Sequence, residues 1–190
     1  REVGGVLHQK GQVEVVSSME RDGREVANDL RWGVYVVIEA PNDYAAACFR
    51  QYGMNTDASG RYSAMFKPFH LIGLELNVSI LSAAILNKPT GSTLGFNGDV
   101  AATAKRALNS GERLDGEGGH TVYGKLLPAA TSLKQNNLPI GLAHNVTLNK
   151  TIAPGQSITW NDVTYDESND AVRVRREMEA HFRKNSVRED

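Results

Sequence analysis

The sequence predicts an α+β protein made of two parts and finished by a helix. Residues 1–92 mix β-branched runs with two helical segments. Residues 97–165 are rich in glycine, proline and short β-type runs, and they contain an internal repeat. Residues 166–190 form a charged, amphipathic helix and tail.

The bulk numbers narrow the function classes. A chain of 190 residues, 41% hydrophobic and 23% charged, can bury a real core. With 21 basic against 22 acidic residues, the net charge is −1. No whole-chain field therefore points to nucleic acid or an anionic membrane. No apolar run reaches the roughly 18–20 residues of a membrane span. A single cysteine, Cys48, rules out an internal disulfide framework and fits a cytoplasmic protein. The opening R-E-V-G-G has neither an initiator Met nor a signal-peptide pattern, so the chain reads as part of a longer protein.

Residues 3–20 carry valine and leucine runs broken by glycine and read as one or two strands, closed by an R-D-G turn at 21–23. Residues 31–39, RWGVYVVIE, have the best strand composition in the chain, and Pro41 ends the run. Asn42 or Asp43 can cap a short helix, YAAACFRQY, which Gly53 stops. A polar turn, DASG, precedes a strand over 61–66, RYSAMF. From Leu71 to Leu86, LIGLELNVSILSAAIL is apolar on nearly every side. It suits a helix enclosed in a protein or in a subunit interface.

A shift of 44 residues aligns TAKRALNSGERLDGEG (103–118) with TLNKTIAPGQSITWND (147–162). Thr103 meets Thr147, Arg106 meets Lys150, Leu108 meets Ile152, Gly111 meets Gly155, Glu112 meets Gln156 and Leu114 meets Ile158. A strand residue, a tight glycine turn and a second apolar anchor give this pattern. Two copies imply a small β unit with internal pseudo-symmetry. In the tail, Val174, Met178 and Phe182 recur at i, i+4, i+8 and predict one narrow packing face; Glu177 and Glu179 fall on the solvated side.

Gly119 to Lys125 has the spacing of a phosphate loop, G-x-x-x-x-G-K. Three features oppose that reading: Leu126 stands where Ser or Thr should bind Mg²⁺, a polar run precedes Gly119, and Pro128 blocks the helix that should follow. The stretch is better read as a loop between β strands.

The repeat, above all its second copy ending W-N-D-V at 160–163, resembles the SAF domain, a β-clip fold found in antifreeze-like domains, sialic acid synthases and flagellar P-ring chaperones. GGVLHQKGQVEVVSS (4–18), DLRWGVYVVIE (29–39), YGMNTDASGRYSAMFKPFHLIGLE (52–75) and LDGEGGHTVYGKLLPA (114–129) resemble the C-terminal part of a bacterial oxidoreductase family. That family joins a homoserine-dehydrogenase-like enzyme to a SAF domain, and one of its branches is deoxyxylulose-phosphate-reductoisomerase-like. The resemblance implies an NAD(P)-dependent enzyme for a small polyol, sugar phosphate or hydroxy-carbonyl compound, and a homo-oligomer. It also implies that NAD or NADP binds an upstream domain, because no G-x-G-x-x-G occurs here. The chain alone is then expected to be inactive. The other reading is a stand-alone SAF-type module for carbohydrate binding or assembly.

Lys67, His70 and Glu75 form the densest titratable cluster, in K-P-F-H-L-I-G-L-E. Lys or His can donate a proton to a carbonyl oxygen, and Glu75 can orient that donor or hold a divalent metal. The alternative is an ordinary helix start. Arg31 can bind a substrate phosphate or carboxylate, or join a surface ion pair. Glu117, His120, Tyr123 and Lys125 are the substrate-side candidates in the second part, set against a purely structural loop. The histidines have no zinc-site spacing, and Cys48 reads as buried and inert.

Overall fold

The computed structural model describes residues 7, 9–16, 19–20, 22–26, 33–68, 71–93 and 95–185. The fold is α+β, and the chain divides into two compact units, Arg1–Leu94 and Gly95–Asp190.

In the first unit, β1 (Val34–Glu39) and β2 (Tyr62–Lys67) pair antiparallel, from Val34 opposite Lys67 to Glu39 opposite Tyr62. Between them lies α1 (Asp43–Gln51). Asn42 adopts an extended conformation and its side chain accepts from the Ala45 amide at 2.9 Å, satisfying a donor that the first turn leaves open. The helix ends in a Schellman motif, in which Met54 N donates to Phe49 O at 2.9 Å and Gly53 N to Arg50 O at 3.1 Å. The strands expected within 3–20 do not form among the described residues. Gln12 N donates back to Gln9 O around Gly11, residues 13–16 belong to no strand, and Met19 bridges to Glu25; residues 3–6, 8 and 17–18 of that expectation lie outside the described residues.

The second helix, α2 (Ile72–Leu86), forms where its apolar composition predicts, but none of its side chains is buried. Leu74 and Ile85 are 68% and 69% exposed. The enclosure expected of this helix is therefore not supplied by the described residues. Buried apolar side chains in this unit are confined to Ala40 and Ala46 among those residues.

The second unit holds a continuous core. Here β3 (Gly98–Ala104) pairs with β5 (Val122–Pro128), while β4 (Arg113–Asp115), β6 (His144–Leu148) and β7 (Val163–Thr164) form a three-stranded antiparallel sheet in the order β4-β6-β7. The sequence repeat is a spatial repeat. Leu108 and Ile152 exchange both backbone hydrogen bonds, at 3.0 and 2.9 Å. Gly111 N donates to Leu148 O and Leu148 N to Glu112 O; in the other copy Gly155 N donates to Ala104 O and Ala104 N to Gln156 O. Even the side chains match, since Glu112 caps the Asn109 amide and Gln156 caps the Ala153 amide. Leu108, Leu114, Ile152 and Ile158 are almost completely buried.

Two features depart from expectation. The short helix α3 (Ala129–Gln135) lies in a region read as mostly β-type; seven residues are too few to display a helical period. The last helix, α4 (Asp170–Asn185), does not pack through Val174, which is 54% exposed. Val172 is buried instead, and so is Glu179, which the pattern had placed in solvent. Glu179 accepts from the Trp160 indole at 3.1 Å, Arg175 Nε at 2.8 Å and Arg176 at 2.6 Å. Arg175 also donates to buried Asp99 at 2.6 Å, as Ser132 does. The guanidiniums of Arg175 and Arg176 lie over the rings of Phe96 and Trp160. Met178 and Phe182 of the expected stripe are half-buried, with Phe182 against the Phe96 ring, and a paired, hydrogen-bonded charge network takes the place of Val174 beside them.

Candidate functional site

The first unit contains a cleft of about 850 Å³, bounded by Leu7, residues 9–16, Gly33, β1, Pro41 and Tyr62. Local sequence explains each wall. Alternation along β1 leaves Tyr35, Val37 and Ile38 half-buried while Val34 and Val36 are exposed. Gly33 lets β2 come close, because a β-carbon there would lie 2.6 Å from the Lys67 carbonyl oxygen and overlap the Phe66 ring. At the end of the ladder the Tyr62 hydroxyl donates to Glu39 at 3.1 Å. That bond, reinforced by the carboxylate charge, pushes the Tyr62 phenol up from its ordinary pKa.

Two polar atoms on the cleft's lining residues are buried without a partner: Glu14 Oε1 and Tyr35 Oη. Native structures rarely leave such groups unpaired, because each forfeits its hydration. A carboxylate oxygen only accepts, whereas a phenol both donates and accepts. Neither residue was singled out from the sequence. The available signal was a phenol within an otherwise aliphatic strand, V-Y-V-V-I, and a carboxylate within V-E-V-V.

Of the expected catalytic cluster, Lys67 and Glu75 form an ion pair. It joins the end of β2 to the first turn of α2, where a carboxylate also opposes the helix dipole. Both side chains are partly exposed, and neither lines the cleft. His70 lies outside the described residues, and so does Arg31. Arg61 makes a surface ion pair, donating to Asp43 at 2.7 Å. Cys48 is free and half-buried rather than fully buried.

In the second unit Glu117, His120, Tyr123 and Lys125 are exposed. Their loop is tied down by Asp115, whose carboxylate accepts from the Thr121 hydroxyl, from His120 N at 2.6 Å and from Thr121 N at 3.0 Å. The Thr121 hydroxyl first, then the two amides, hold the Asp115 carboxyl far below the ordinary range. The stretch from Gly119 leads into β5, with Tyr123 and Lys125 as strand residues, so no helix N-terminus faces a phosphate there.

Among the described residues no three His, Cys, Asp or Glu side chains gather to hold a metal ion. Every named strand pairing is antiparallel, so these residues build no βαβ cradle for a dinucleotide. No helix among them is long and apolar enough to cross a membrane.

No curated protein matches the chain. Residues 1–76, the stretch that contains the whole cleft lining and Lys67, match the family model described as oxidoreductase DRL, catalytic domain.

Proposed function

We propose that the chain is the C-terminal part of an NAD(P)-dependent oxidoreductase of the homoserine-dehydrogenase-like kind, on its deoxyxylulose-phosphate-reductoisomerase-like branch. It acts on a small polyol, sugar phosphate or hydroxy-carbonyl compound. One observation carries the reading: the stretch similar to an oxidoreductase catalytic domain, residues 1–76, is also the stretch that forms the cleft. On this reading the first unit supplies the substrate side and a homo-oligomer interface, in the cytoplasm. The second unit is a SAF-type domain. The nicotinamide cofactor is held by a dinucleotide-binding domain additional to these residues.

The residues divide the work as their chemistry allows. Lys67 presents a proton-bearing ammonium to a substrate oxygen, Glu75 orients it, and His70 is the second donor. The ion pair supports the orienting role. The second reading, a SAF-type carbohydrate-binding or assembly module, is favoured by the complete core of the second unit. The test is consumption of reduced or oxidised nicotinamide across polyols, sugar phosphates and hydroxy-ketones, by a protein that carries this chain together with a dinucleotide-binding domain. Turnover of any of these classes supports the oxidoreductase. Carbohydrate binding without turnover favours the module.

A further inference from the structure

We infer that Asn97–Gly98 is a self-modifying site, at which the asparagine side chain loses ammonia and the backbone rearranges in part to isoaspartate. It is the one Asn-Gly pair in the sequence. A glycine that follows asparagine has no β-carbon to keep its own amide nitrogen from the side-chain carbonyl carbon. The fold leaves both reacting groups uncommitted. Asn97 is exposed, and no hydrogen bond holds its side-chain amide among the described residues. That amide lies over Gly95, where a β-carbon would be 3.6 Å from Asn97 Nδ2. The Ala129 amide donates to Asn97 O at 2.9 Å, so Asn97 and Ala129 form the hydrogen-bonded rung beside the Gly98–Pro128 pair. The next pair along an antiparallel ladder makes no hydrogen bond, which turns the Gly98 amide away from β5. The two Asp-Gly pairs are held differently. Asp115 accepts from Thr121 and His120, and Asp22 accepts from the Arg24 amide and guanidinium.

The reaction needs only water. The Gly98 nitrogen bonds to Asn97 Cγ, the Cγ–Nδ2 bond breaks, and ammonia leaves with the proton that Gly98 gave up. Water then opens the cyclic imide at either carbonyl. Opening at Cγ leaves an ordinary aspartate. Opening at the main-chain carbonyl leaves isoaspartate, in which the chain runs on through the side-chain carbons and is longer by a methylene. The second product removes the backbone carbonyl that accepts from Ala129, the first residue of α3. It also lengthens the path between Phe96 and Asp99, which grip α4 from either side of the site. The Phe96 ring lies 5.7 Å from that of Phe182 and under the Arg175 guanidinium, and Asp99 accepts from Arg175 at 2.6 Å. Conversion of Asn97 therefore loosens α4.

The experiment incubates the folded chain in mildly alkaline buffer and follows it by peptide mass mapping, with isoaspartate methyltransferase labelling to identify the rearranged product. Asn97 should gain the mass of an amide-to-acid exchange before any other asparagine does, and isoaspartate should form there. The folded chain should react within about tenfold of the rate in guanidinium, because the fold leaves the site open. Gly98→Ala should slow the reaction about tenfold or more, since its β-carbon obstructs the attack. Asn97→Gln should stay intact. After equal incubation, protease should cut within α4 faster in the parent than in Asn97→Gln. Protection of folded Asn97 by more than about tenfold overturns the inference, because the strand would then hold the site shut. Conversion of Asn109, which precedes Ser110, ahead of Asn97 overturns it too. Equal cleavage of the two aged proteins overturns the coupling to α4.

Discussion

Leu108 and Ile152 hydrogen-bond to each other through both backbone amides, and each occupies the equivalent place in its own copy of a 44-residue repeat. The second unit is therefore organised around a pseudo-two-fold axis passing between them.

That relationship predicts matched energetics. Both side chains are fully buried, so Leu108→Ala and Ile152→Ala should each cost about 2–5 kcal/mol. Because the residues are in contact, the double variant should fall short of the sum. Urea unfolding of all three proteins checks this. Strongly unequal single costs would contradict the symmetry.

Gly111 and Gly155 close the equivalent turns with φ of 83° and 76°. A β-carbon is disfavoured in that region by about 1–2 kcal/mol. Space is open around both, so strain alone sets the cost. Alanine at either position should lower stability by a similar amount, and Asn should restore part of it. Calorimetry of the four variants decides.

The buried charges that clasp α4 give a larger effect. Glu179→Ala leaves Arg175 half-buried beside Asp99 and takes away the indole's acceptor. Breaking a buried pair on one side costs about 3–5 kcal/mol. Protease cleavage within α4 should accelerate in Glu179→Ala and stay slow in Glu177→Ala, whose partner Arg173 is an exposed neighbour.

Acid sensitivity should pass through Asp115. Its folded-state pKa is depressed, so its contribution is complete above the ordinary Asp value of about 3.9 and is lost as pH falls below it. Asp162 adds to the same slope. Burial alone would raise it, but the Lys150 bond and the Thr159 amide outweigh that. Asp115→Asn should therefore reduce, without abolishing, the loss of stability below about pH 4. Denaturant midpoints across that range measure it, and an unchanged slope would contradict the assignment.

The exposed α2 predicts an assembly. Within the single chain Ile80→Asp should change unfolding free energy by less than about 0.5 kcal/mol, since none of the described residues buries the helix. In a homo-oligomer that encloses α2, the same variant should sediment as a smaller species than the parent.

Much of this was legible in the sequence where local rules suffice. The β-branched run of β1, the Asn42 cap and the Gly53 stop specify residues 34–53 of the first unit through nearest-neighbour chemistry. The repeat predicted its own contacts, because similar segments placed around a pseudo-two-fold axis meet at equivalent residues. Tertiary features left no such mark. Glu179 reads as a solvated helix residue until Trp160, nineteen positions earlier in the chain, is seen to bring its indole to it. Glu14 and Tyr35 are ordinary residues in apolar runs, and only their loss of water without replacement distinguishes them. Lys67 and Glu75 fell between these cases: their proximity in sequence suggested a pair, and the pair forms, outside the cleft.

The central claim, that the first unit is the substrate side of an oxidoreductase, is tested most directly by nicotinamide turnover in a protein that carries this chain together with a dinucleotide-binding domain. Lys67→Ala should lower kcat by about 10²–10⁴-fold with KM little changed, the range of a lost proton donor. His70→Ala should lower it as well. Unchanged kcat in both variants would contradict the claim.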